Sequence, residues 1–187
     1  MPKIKTDLTP AEYAVLGVLR EHPAHGYELK GRFAGTDGLG RVCPIETGMV
    51  YAILRSLSGL DLIDGTWDGS STPRRSVYAV TDEGAQVFER WLRRPVTHLR
   101  EVRFDFMVKL YFALREDRDL ARDLVAAQIA VIEDYAQNTD TERAVCPAGT
   151  EEFDAIVLDS QLSGARATLD WLGRVRQQID RPLPTVK

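Results

Sequence analysis

Apolar positions in this chain recur first at helical spacing, then briefly at strand spacing, then at helical spacing to the end. Leu8-Thr9-Pro10-Ala11-Glu12 reads as a helix start: Thr9 can cap, Pro10 fits the first helical position, and Glu12 completes a capping box. Leu8 and Tyr13 sit at the two positions of a hydrophobic staple, and Ala14, Val15, Val18 and Leu19 continue the stripe until Pro23 ends it. A second helix is predicted from about His25 to Phe33, burying Leu29 and Phe33. Residues 34–44, with Gly35, Gly38, Gly40 and Pro44, read as a loop. The third helix begins at Glu46 or Thr47 and places Val50, Ile53, Leu54 and Leu57 on one apolar face. Its other face carries Thr47, Gly48, Tyr51, Ala52, Arg55 and Ser56. Residues 62–67 and 76–80 then read as two strands around the turn 68–73 and the pair Arg74-Arg75. In the second strand neither face is clearly polar, so β-propensity decides it. Thr81-Asp82-Glu83 caps a fourth helix with the stripe Ala85, Phe88, Trp91 and Leu92.

Arg93-Arg94-Pro95 marks a change of unit, after which only helices are predicted. Residues 104–114 are apolar nearly all round, as for a helix buried on several sides. Asp117 or Asp119 caps the next helix, whose stripe is Leu120, Leu124, Ala127, Val131 and Tyr135. Residues 138–149 are polar, include Pro147, and read as a connection. Thr150-Glu151-Glu152 starts the last helix, where Leu158, Leu162, Ala165, Leu169 and Leu172 step by four and three as a coiled-coil-like seam. The expected fold is therefore mainly α with a small β-hairpin wing: residues 1–94 as one domain and 95–187 as a helical second one.

Composition narrows the function without naming it. The 187 residues carry a net charge of −4, and the acidic excess lies wholly in the second half. Residues 1–94 are balanced, at 12 Lys+Arg against 12 Asp+Glu. Phosphate binding depends on where cations cluster more than on their total. No apolar run approaches the roughly 18 residues of a membrane span, and the N-terminus lacks the apolar core of a signal peptide, so a cytoplasmic protein is expected. Cys43 and Cys146 are far apart, belong to no metal-ligand spacing, and are expected as reduced thiols rather than a disulfide. No nucleophile–base pair, phosphate loop or metal set is visible, so neither an enzyme, a cofactor nor a metal is expected. His25 has no ligand partners at suitable spacing and reads as a helix-start or packing residue.

Three helices followed by a hairpin is the winged helix-turn-helix order, in which the third helix enters the DNA major groove and the wing reaches the flanking backbone. The residues also resemble a family. The segment from Glu21 to Leu29, with Pro23 and His25-Gly26-Tyr27-Glu28-Leu29, looks like the "PxHGYE[IL]" motif of PadR-like transcriptional regulators. Gly48, Tyr51, Leu54 and Leu57 resemble that family's "GxxYxxLxxL" recognition helix. Pro73-Arg74-Arg75, Tyr78, Thr81 and Gly84 resemble its wing return, with one extra residue before Tyr78. Residues 104–113, with Lys109-Leu110, look like the start of the family's longer helical C-terminal domain. Two departures stand out. Asp61 replaces the usual glycine after the recognition helix, though aspartate tolerates the left-handed conformation better than most residues. Met49 stands where a polar residue is common.

The resemblance implies a homodimeric regulator on an inverted-repeat operator in double-stranded DNA, more often a repressor, with a small hydrophobic or phenolic effector in some members. Thr47 and Gly48 would face phosphate at the helix N-terminus, and Tyr51 would either donate its hydroxyl to a phosphate or pack on the wing. Arg55 is a DNA contact or a solvated cation, and Arg74 and Arg75 are wing contacts or a charged turn; Lys30 and Arg32 are further candidates. Trp91, Phe104, Phe106, Tyr111 and Trp171 would line an effector pocket or simply form core. The seam from Leu158 through Leu162, Ala165 and Leu169 to Leu172 would join two protomers or pack within one. A winged-helix protein–protein interaction module without DNA binding is the alternative, supported by the balanced charge of residues 1–94.

Overall fold

The computed structural model describes residues 8–35, 38–67, 76–145 and 152–181. Among these, the residues up to Arg93 together with Met107–Phe112 form one unit, and Arg94–Phe106 with the residues from Ala113 onward form a second.

In the first unit, α1 (Pro10–Glu21) begins on the expected capping box. The Thr9 amide donates to Glu12 Oε2 at 2.7 Å, and the Glu12 amide donates to Thr9 Oγ1 at 3.3 Å. The other Glu12 oxygen accepts from the Ser56 hydroxyl at 2.8 Å, so one buried carboxylate both caps α1 and fastens it to α4 (Thr47–Gly59). Between them lie the two-residue strand β1 (Ala24–His25), α2 (Gly26–Phe33) and α3 (Gly38–Val42). Two of these depart from the sequence expectation. β1 is too short to carry a period. The 34–44 loop contains a helical turn because Leu39 and Cys43, four residues apart, are both buried, which outweighs the poor helix propensity of the glycines.

α4 leaves through a Schellman-type turn. The Leu62 amide donates to the Leu57 carbonyl at 3.0 Å and that of Asp61 to Ser58 at 3.1 Å, with Asp61 left-handed at φ 58°. Aspartate thus does the usual glycine's work. β2 (Ile63–Trp67) and β3 (Ser76–Val80) pair antiparallel, and β1 adds to β3 in the sheet order β1-β3-β2. Thr81 caps α5 (Asp82–Leu92) by accepting from the Gly84 amide at 3.0 Å, and its hydroxyl donates to the Asp61 carbonyl at 2.8 Å. The unit's centre is Leu16, Leu19, Leu29, Phe33, Leu54, Leu57 and Phe88, all essentially inaccessible.

The second unit holds a 3-10 turn (Leu99–Arg103), both ends of α6 (Asp105–Glu116), whose residues 107–112 belong to the first unit, and α7 (Arg118–Ala144) and α8 (Glu152–Asp180). α7 and α8 run antiparallel. At one end the Arg118 guanidinium donates to the carbonyls of Ile179 and Arg181, and Arg122 pairs with Asp180 at 3.0 Å; at the other, Arg143 pairs with Asp159 at 3.2 Å. The hydrogen bond to Asp180 and the nearby Asp119 carboxylate hold the Arg122 guanidinium above its ordinary value. The expected connection at 138–149 begins later than its polarity suggests. α7 continues to Ala144, with Thr139 buried and its hydroxyl donating to the Tyr135 carbonyl at 2.9 Å. No helix of the described residues is long and apolar enough to cross a membrane.

Candidate nucleic-acid interface

Four residues fix the rotation of α4. Val50, Ile53, Leu54 and Leu57 are at most 4% exposed, and the helix turns Thr47, Gly48, Met49, Tyr51 and Arg55 outward. Its N-cap, Glu46, makes no side-chain capping bond, so that carboxylate leaves the first-turn amides unoccupied. Such amides, with the helix dipole behind them, favour an anion. The exposed Glu46 carboxylate at the same end works against a phosphate, a residue the sequence motifs did not single out.

Gly48 is informative for what surrounds it. A Cβ there would have nothing within 4 Å, so no packing within the described structure requires a glycine. Glycine inside a helix costs roughly 0.5–1 kcal/mol relative to alanine, and no contact in the described structure offsets that cost at Gly48. Gly26 is the converse case. A Cβ there would lie 2.7 Å from Cε1 of Tyr51, because the Tyr51 ring rests on the start of α2. Tyr51 therefore packs on Gly26 and remains 42% exposed.

The HGYE segment is structural. The His25 amide donates to Glu28 Oε2 at 2.7 Å, the His25 ring stacks on Tyr27, and His25 Nδ1 lies 3.2 Å from the Ser76 carbonyl, a contact its Nδ1-protonated tautomer makes as donor. With the β1–β3 pairing, this ties the base of the hairpin to the helix on which Tyr51 rests. The helix-start and packing role read for His25 is the one it plays.

Arg55, Lys30 and Arg32 are exposed and form no ion pair among the described residues. Arg20, Arg90 and Arg93 are instead paired with Glu89 or Glu83. Arg32 also lines a cavity of about 250 Å³ with Val18, His22, Pro23, Glu28 and Leu29. Arg74 and Arg75 lie outside the described residues.

Residues 15–90 match the model of the Transcriptional regulator PadR-like family, a span that takes in most of α1 and everything through α5 except its last two residues. By this match, residues 15–90 are a PadR-like segment. The chain is 26% identical over 182 residues to the negative transcriptional regulator PadR of Bacillus subtilis (strain 168), covering 91% of this chain and 97% of that one. Solved structures similar to it include Bacillus subtilis PadR with operator DNA (25% identity, TM-score 0.44, 90% of this chain and 98% of that one). Another is the same regulator with p-coumaric acid (25% identity, TM-score 0.41, 92% and 100%).

Two expected groupings fare differently in this chain. The five aromatics read as a pocket are not brought together in one unit. Trp91 stacks on Tyr13 with ring centroids 4.2 Å apart under the Lys109 ammonium, and Tyr111 meets Phe112 edge-on, all in the first unit. Phe106 meets Trp171 edge-on in the second unit, where Phe104 stands half-buried before α6. Trp91, Phe106, Tyr111 and Trp171 each have an aromatic neighbour at core spacing, which is why periodicity alone could not separate pocket from core. Leu158, Leu162, Ala165 and Leu172 are buried on α8, and Leu169 is half-buried, in the pairing with α7 of the same chain. A four-three step announces a helical partner but not whose helix it is.

Sequence reasoning also missed Gln128. It is fully buried; its Oε1 accepts from the Val96 amide at 2.8 Å and its Nε2 donates to the Val96 carbonyl at 3.0 Å. A lone glutamine inside an apolar stripe was the available signal.

Proposed function

We propose that this transcriptional regulator is a homodimeric repressor of the cytoplasm that binds an inverted-repeat operator and is released by a small hydrophobic or phenolic effector. Residues 1–94 would serve DNA binding and 95–187 dimerisation and effector response. The observation that carries the DNA reading is the outward face of α4: uncapped first-turn amides, a glycine that nothing in the described structure needs, and an Arg55 with no counter-ion among the described residues. Thr47, Gly48 and Tyr51 would take phosphate, Arg55 base or phosphate, and Arg74 and Arg75 the backbone beside the hairpin, with Lys30 and Arg32 adding long-range attraction. Repression follows the sign in the Bacillus subtilis relative's name, and the effector class follows the family resemblance.

With the seam residues buried or half-buried in the single chain, we assign the dimer surface to exposed apolar side chains of the second unit, Phe153 (69% exposed) and Ile156 (58%) on one face of α8. The winged-helix interaction module remains a second reading, favoured by the exposure of Tyr27, Met49 and Trp67 on the first unit. Retention of random duplex DNA at low salt separates the two. The repressor is retained, and Arg74→Ala/Arg75→Ala weakens retention and lowers the salt slope by about 0.9 for each phosphate that is no longer neutralised. An unchanged affinity and slope in the double variant removes the hairpin from the interface, and no retention by the native protein favours the interaction module.

A further inference from the structure

Met49 is the third residue of α4 and, at 56% exposed, the most exposed large apolar side chain among the described residues of the first unit. The four buried residues of α4 prevent the helix from rolling to cover it. Its neighbours on the outward side are a hydroxyl, a glycine, an alanine, a tyrosine and one arginine. An unbranched thioether is polarisable and adapts its shape to what it meets. A recognition helix reaches base edges with its N-terminal residues, and on those edges the apolar feature of the major groove is the 5-methyl group of thymine.

We propose that Met49 is a specificity-determining residue that reads a thymine 5-methyl group in each half-site. This rests on the DNA-binding reading above and adds to it the base and the atom recognised. Within α4 the one cation is Arg55, two turns further on, so the helix's opening turn contributes apolar rather than charge-assisted selection.

Exchange of thymidine for deoxyuridine removes that methyl group and nothing else. A duplex selected by the native protein from a random pool is remade with this exchange at each thymine of the half-site in turn. At one position per half-site the native protein should bind about fourfold more weakly, the loss expected for one methyl group withdrawn from apolar contact. Met49→Ala, a helix-favouring change at an exposed position, should bind the thymidine and deoxyuridine duplexes equally there while retaining random duplex at low salt. The proposal is overturned if the native protein is indifferent to every exchange, or if Met49→Ala is as sensitive as the native protein. A native protein that retains no duplex at all refutes the DNA reading itself, and this one with it.

Discussion

At Gly48 the fold and the interface make opposite demands on one side chain. Open space around its missing Cβ means that Gly48→Ala should leave stability unchanged or raise it, by at most about 1 kcal/mol. The same methyl should obstruct anything docking on the outward face of α4 and lower DNA affinity. A thermal melt together with a binding titration tests the pair, and a variant that loses stability but binds normally would return Gly48 to a purely structural role. Gly26→Ala is the contrasting case, since its methyl would meet the Tyr51 ring at 2.7 Å and must displace it. Gln128 answers to stability alone. Gln128→Leu strands the amide and carbonyl of Val96 in a buried place and should cost about 2–6 kcal/mol for the two unsatisfied groups. Denaturant unfolding measures it; a midpoint within error of native would mean that water or a shifted backbone replaces the amide.

Among the elements, the turn from α4 to β2 shows how far local rules carry. Aspartate is expected to hold a left-handed turn in place of glycine, and Asp61 does, at φ 58°. Asp61→Val should therefore lose about 1–2 kcal/mol to the clash of a branched side chain in that conformation, while Asp61→Gly should be tolerated. Equal stability of the two variants by chemical denaturation would deny the strain. The same kind of rule made α1, α4 and α5 legible. A capping box at Thr9 and Glu12, an apolar step at Val50, Ile53, Leu54 and Leu57, and a capping Thr81 are each written within a few consecutive residues. What stayed hidden depends on residues distant in sequence. β1 exists only because Ala24 and His25 meet Tyr78 and Val77, and α3 only because Leu39 and Cys43 find a core. The candidate site divides along the same line. Motif spacing places Tyr51 and Arg55 on the outward face, but the rest of Tyr51 on Gly26, the acid at Glu46 and the clamp at Gln128 are tertiary facts.

For the whole molecule the balance of charge matters more than its sum. Residues 1–94 carry no net charge, yet among the described residues Arg55, Lys30 and Arg32 are left without acidic partners, while Arg20 of α1 and Arg90 of α5 are matched by Glu89 and Glu83. Binding should accordingly be weaker in salt sensitivity than for a strongly basic regulator, with shape and backbone amides supplying the difference. Assembly is assigned, in the proposal above, to the exposed apolar side chains of α8. Phe153→Asp with Ile156→Asp should convert a dimer to a monomer in sedimentation without unfolding it, since both side chains are already exposed; a variant that sediments as the native protein would put the contact elsewhere. A two-fold dimer presents two copies of α4, so its operator must share that symmetry. Selection of bound duplexes from a random pool by the full chain tests this most directly. The expected result is an inverted repeat whose half-sites lie about 10 base pairs apart or a multiple of that, one helical turn per interval. A pool that shows no enrichment, or enrichment of a single unrepeated half-site, would contradict it.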